Sequence, residues 1–118
     1  IDNPPDDYAV NGRDLVTGIP KQILVSYQEI AEALDKSIFK IEEAILKALE
    51  QTPPELAADI YRRGLYITGG GALLRGLDKR LANKIKLPVH VADDPLKSVV
   101  RGTGIALKNY SRYPFVMR

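Results

Sequence analysis

Three consecutive glycines, Gly69-Gly70-Gly71, follow the apolar run Leu65-Tyr66-Ile67 and precede Ala72-Leu73-Leu74-Arg75-Gly76-Leu77. This stretch most limits what the chain can fold into. The run before the glycines reads as a short buried strand, and the residues after them resume with helical apolar spacing. Residues without Cβ let the backbone turn sharply, expose N–H groups and admit a close neighbour. A helix starting directly behind the turn would add unpaired N–H groups and a positive dipole end. No Gly-Lys-Ser/Thr follows, and the position of a third fingerprint glycine after Gly69 and Gly71 holds Leu74. The turn alone therefore leaves two readings open, a ligand cradle and a tight turn with close packing.

At 118 residues the chain is one domain or part of one. Hydrophobic residues at 45% can form a core, and 27% charged residues suit a soluble surface. No apolar run approaches the roughly 18 residues that span a bilayer, and no secretory signal is visible. The chain starts with Ile1 rather than Met, as an excised piece would. The absence of cysteine excludes disulfide and Cys-zinc readings and fits a cytosolic chain. A net charge of +2, with Lys and Arg interleaved among Asp and Glu, argues against a nucleic-acid partner.

In chain order, the Pro- and Asp-rich start through Asp7 reads as a loop. A strand from Tyr8, a turn at Thr17-Gly18 and a strand over Ile19 to Ser26, with Ile23 and Val25 on one face, predict an antiparallel hairpin. Pro20 is tolerable near a strand start. Ser26-x-x-Glu29 matches a capping box. It predicts a helix from Tyr27 to Glu50, with an apolar stripe at Ile30, Leu34, Ile38, Ile41, Ile45 and Leu49. Thr52-Pro53-Pro54-Glu55 reads as a second capping box, opening a short helix that ends before Gly64. After the glycines, Leu73, Leu74, Leu77 and Leu81 keep helical spacing.

Pro88 to Ala92 reads as a short strand. His90 within it lacks the partners that base or nucleophilic catalysis requires. Asp94 is expected to cap the last helix, with Pro95 at its first position and Leu96, Val99, Val100, Thr103 and Leu107 on its apolar side. Gly102 and Gly104 are poor helix formers, so something is expected to pack closely against them, either a backbone or a nucleotide.

Longer words then stand in one order: Thr52-Pro-Pro-Glu-Leu-Ala-Ala-Asp-Ile60, the glycine turn with Leu-Leu-Arg-Gly-Leu-Asp78, and Asp94-Pro-Leu through Val100-Arg-Gly-Thr-Gly-Ile-Ala-Leu107. With Asn11-Gly-Arg-Asp-Leu-Val-Thr-Gly-Ile-Pro20 upstream, they closely resemble the C-terminal part of the MreB family, bacterial actin-like proteins that determine rod shape. The resemblance covers nearly the whole chain and fades over 109–118.

That resemblance implies a partial α/β actin-like ATPase (ribonuclease H-like) fold. Residues 1–118 would be a single partial domain, subdomain IIA, with a 1–26 hairpin from the IIB/IIA boundary, the returning C-terminal helix and a 109–118 tail. It implies ATP with Mg2+ in the intact protein, the glycine turn meeting the ribose and α-phosphate side. The contacts would fall on Gly69, Gly70, Gly71, Ala72 and Leu73 through the backbone, with no catalytic side chain and no metal ligand here. The family's phosphate loops, magnesium-linked aspartate and water-positioning acid belong to stretches outside this chain. The intact protein is thus expected to be a weak ATPase linked to polymerisation. This piece alone is expected neither to hydrolyse ATP nor to bind it tightly.

The implied partners are other copies in a head-to-tail filament, a RodZ-like membrane protein through subdomain IIA, MreC and MreD. The inner face of the cytoplasmic membrane would be reached through parts absent here. The implied role is organising cell-wall synthesis in a rod-shaped cell. Two alternatives stand beside it: the nucleotide half of a sugar kinase or exopolyphosphatase-like phosphotransferase, and a self-standing adaptor domain.

Overall fold

The computed structural model describes residues 3–113 and divides into two compact units, Ile1–Glu50 and Gln51–Arg118. In the first unit, strands β1 (Tyr8–Arg13) and β2 (Pro20–Val25) pair antiparallel, with Tyr8 opposite Val25 and Arg13 opposite Pro20. Proline opens β2, where a missing donor costs least. The Asp14 carboxylate organises the connection by accepting the N–H of Val16 at 2.8 Å and of Thr17 at 3.1 Å. Gly18 closes the loop with φ +72 and donates to the Asp14 carbonyl at 2.8 Å. Leu15 and Val16 consequently stand at the tip, 93% and 94% exposed.

Helix α1 (Tyr27–Glu50) starts where the capping box places it. Its buried line differs from the expected stripe. Ile38 and Glu42 are buried and Leu34, Ile45 and Leu49 half-buried, whereas Ile30 and Ile41 are exposed. At about 100° per residue, Glu42 lies roughly 40° from Ile38 around the helix, while Ile41 and Ile30 lie roughly 60° and 80° away. Position therefore outranks residue type, and a carboxylate occupies the buried line. Glu42 has a partner, and among the described residues no buried side-chain N or O atom lacks one.

The second unit opens with α2 (Pro54–Arg63). Pro53 precedes it with no side-chain cap, and the Pro53 carbonyl accepts the N–H of Leu56 and Ala57. The second capping box expected at Thr52 is therefore not formed. The helix starts one residue too late, with Pro53 in the capping position, and proline has no side-chain oxygen to offer. Gly64, at φ +78, then passes so close to the Pro88 carbonyl that a Cβ would lie 2.4 Å from its oxygen. That close approach brings β3 (Leu65–Ile67) beside β4 (Val89–Val91).

The two strands are parallel, with Leu65 opposite Val89, Tyr66 opposite His90 and Ile67 opposite Val91. The rings of Tyr66 and His90 stack across the strands, centroids 4.9 Å apart, which gives this histidine a packing role. The crossover between them contains a four-residue 3-10 turn and α3 (Leu77–Ile85). Leu77, Leu81 and Ile85 recur every fourth residue on α3 and form the unit's core with Ala72. A 3-10 turn over Pro95–Lys97 leads into α4 (Ser98–Lys108), and a further short turn covers Tyr110–Arg112. Of the 109–118 tail, residues 114–118 lie outside the described residues. No helix among the described residues is long and apolar enough to cross a membrane.

Candidate functional site

The glycine turn is built by backbone geometry. Gly69 takes φ +84 with ψ 176, a conformation essentially confined to glycine. Its N–H donates to the Pro95 carbonyl at 2.9 Å, and the Thr68 hydroxyl donates to the same oxygen at 2.9 Å. Beyond it, Gly70–Leu73 winds as a 3-10 turn, with the Ala72 N–H on the Gly69 carbonyl at 3.2 Å. Leu74 breaks this turn with ψ 116, and Gly76 at φ +83 redirects the chain into α3.

The expected α-helix directly behind the glycines is thus corrected. Leu73 and Leu74 are not part of a helix with Leu77 and Leu81, and α3 begins only at Leu77, beyond the turn. The reason is local: two positive-φ glycines seven residues apart leave room for only one tight turn between them.

The residues expected at the site are contiguous but not equivalent. Ala72 buries its methyl in the core, and its N–H is used within the turn. The Leu73 side chain is exposed. Gly69 has spent its N–H on Pro95. Among the described residues nothing accepts the N–H of Gly70 or Gly71. A Cβ on Gly71 would meet nothing within 4 Å, whereas one on Gly70 would touch Leu96 Cδ2 at 3.5 Å. Two free donors remain, and at Gly71 the backbone is uncovered, which suits close approach of an anionic or polar ligand. The sequence reading missed Thr68 and Pro95, whose pairing joins positions 27 apart and leaves no periodic signal.

Around α4 two further expectations change. Asp94 adopts φ +47 and makes no side-chain cap, and its carboxylate instead meets Arg101 at 3.3 Å and Lys97 at 3.7 Å. Pro95 opens a 3-10 turn rather than α4 itself. Apart from their own helix backbone and chain neighbours, no atom of the described residues lies within 4 Å of a Cβ built on Gly102 or Gly104, so no other element supplies close packing there. Leu96, Val99, Val100 and Leu107 are exposed. Gly102, Ile105, Ala106 and Tyr113 line an open recess of about 340 Å³.

Comparison with known proteins fits this geometry. A model of the MreB/Mbl protein family matches residues 2–114. The cell shape-determining protein Mbl of Bacillus subtilis is 49% identical over 109 residues, covering 92% of this chain and 33% of that protein. The cell shape-determining protein MreB of Escherichia coli K12 is 50% identical over 99 residues, 84% of this chain and 28% of that protein. This chain spans about a third of the length of the curated relatives it matches.

Among solved structures, MreB5 of Spiroplasma citri bound to ADP superposes with a TM-score of 0.87 at 39% identity, covering 96% of this chain and 34% of that one. The same protein bound to AMPPNP gives 0.86 at 37% identity, covering 100% and 35%. The strands, turns and helices described above are thus part of an actin-like ATPase fold, and the chain belongs to the MreB/Mbl family.

Proposed function

We propose that this chain is the nucleotide-turn part of an ATP-dependent, actin-like filament protein that maintains rod cell shape by organising cell-wall synthesis. The open turn carries the reading. Gly70 and Gly71 hold N–H groups that no described residue accepts, the backbone at Gly71 is uncovered, and the solved relatives with the same fold are bound to ADP and AMPPNP. In this reading Gly69 supplies the bend and Gly70 and Gly71 donate to the ribose and α-phosphate side of the nucleotide. Ala72 and Leu73 line the approach with backbone. No side chain of the turn performs chemistry.

Mg2+ would accompany the nucleotide on residues of the intact protein outside this chain. Among the described residues no group of three His, Cys, Asp or Glu could hold a metal. The intact protein would be a weak ATPase whose turnover accompanies head-to-tail polymerisation on the inner face of the cytoplasmic membrane. A RodZ-like membrane protein, MreC and MreD would be its partners.

Calorimetric ATP titration and polymer pelleting, on this chain and on the natural full-length protein, test the reading. Binding and polymer only in the longer protein are expected. Failure of the longer protein to bind ATP would overturn it.

A further inference from the structure

We infer that Thr68 and the Pro95 carbonyl form a clamp that positions the glycine turn for its ligand. This rests on the nucleotide reading above. One carbonyl oxygen accepts two donors from consecutive residues, the Thr68 hydroxyl and the Gly69 N–H, both at 2.9 Å. Two such bonds fix both the position and the rotation of the peptide leading into Gly70. The acceptor is itself held: Pro95 is buried, its ring restricts its own φ, and the Lys97 N–H bonds back to the Asp94 carbonyl at 2.9 Å. Leu96, next along, sits under Gly70. The clamp also uses the Gly69 N–H internally, so the donors left for a ligand are those of Gly70 and Gly71.

A free turn would have to be ordered on binding, and that cost would appear directly in the affinity. Thr68 is exposed, so its methyl contributes little to the core and its hydroxyl is the part that matters. It is a positioning residue and need not touch the ligand. The pairing also ties the turn to the segment that begins α4, which makes Thr68 sensitive to changes at Pro95 and Leu96.

The test measures ATP affinity and melting temperature in the natural full-length protein, for the unaltered chain, Thr68→Val and Thr68→Ser. Valine keeps the shape and removes the donor, and serine keeps the donor. Losing one hydrogen bond of ordinary strength is expected to weaken ATP binding about three- to tenfold in Thr68→Val. Thr68→Ser should restore it. Unaltered ATP affinity in Thr68→Val would overturn the clamp while leaving the nucleotide site standing. Equal weakening in Thr68→Ser would also overturn it, since the hydroxyl would then not be the cause. If the unaltered protein binds no ATP, the nucleotide reading fails and takes the clamp with it. Thr68→Ala, at the same exposed position, repeats the measurement should valine perturb the strand.

Discussion

Ser26 and Glu29 satisfy each other's backbone at the start of α1. The Glu29 carboxylate accepts the Ser26 N–H at 2.8 Å, and the Ser26 hydroxyl accepts the Glu29 N–H at 3.2 Å. The Ser26 hydroxyl also lies 3.1 Å from the same carboxylate oxygen. Donation from the Ser26 N–H, aided by the hydroxyl, holds the Glu29 carboxyl below the usual glutamate range.

Replacing Ser26 by Ala removes the side-chain half of this box and should cost about 1 kcal/mol of stability. Because the folded-state pKa of Glu29 is lowered, its contribution is complete above the ordinary glutamate value. It fades as pH falls through the lower folded one. Denaturant melts followed by circular dichroism at neutral and acidic pH should show the unaltered chain losing more stability on acidification than Glu29→Gln does.

The hairpin tip obeys the same sign. The N–H groups of Thr17 and Val16 keep the Asp14 carboxyl below the usual aspartate range, so acid should loosen the loop. Amide exchange at Val16 and Thr17 should accelerate as pH falls through that value, after correction for intrinsic rates. Leu15 and Val16 contribute nothing to a core here. Leu15→Ser and Val16→Ser should leave the stability of this chain within about 0.5 kcal/mol.

Two glycine positions make opposite predictions. Gly64→Ala combines positive φ with a Cβ 2.4 Å from the Pro88 oxygen, and should cost about 2–4 kcal/mol or prevent folding. Gly102→Ala meets open space inside α4, and should stabilise this chain by about 0.5–1 kcal/mol through helix propensity. Thermal melts of both variants check the pair. A loss of stability in Gly102→Ala would show that the helix is constrained there by contacts it does not make in this structure.

Leu81 is 1% exposed, the most deeply buried large side chain among the described residues. Leu81→Ala should cost about 2–5 kcal/mol, by lost burial and by the cavity left among neighbours that relax only partly. Leu81→Met, which nearly conserves volume, should cost less than about 1.5 kcal/mol. Urea unfolding midpoints of the two variants compare these values directly.

Much of the architecture was legible in local chemistry. The hairpin, the full span of α1, the Leu65–Ile67 strand and its glycine break all follow from alternation, helical period, a capping pair and residues that lack Cβ, although that strand is half-buried with Tyr66 exposed rather than buried as expected. These depend on neighbours a few positions apart, where residue type and backbone preference agree.

The tertiary structure decided what sequence spacing leaves undetermined. Thr52 and Asp94 are good capping residues by type, yet neither forms the N-terminal cap expected of it, because proline in the next position and a left-handed backbone shift where each helix begins. Ile41 has the spacing of a core residue, yet Glu42 is buried and Ile41 exposed, because burial follows angle around the helix more than residue type. The Gly71-to-Leu77 stretch has helical apolar spacing but is broken by Leu74 and Gly76. Above all, a hydroxyl at Thr68 and a carbonyl at Pro95 meet only once the β3–β4 crossover is complete. That contact, between residues far apart in sequence, ties the locally shaped glycine turn to the segment after β4.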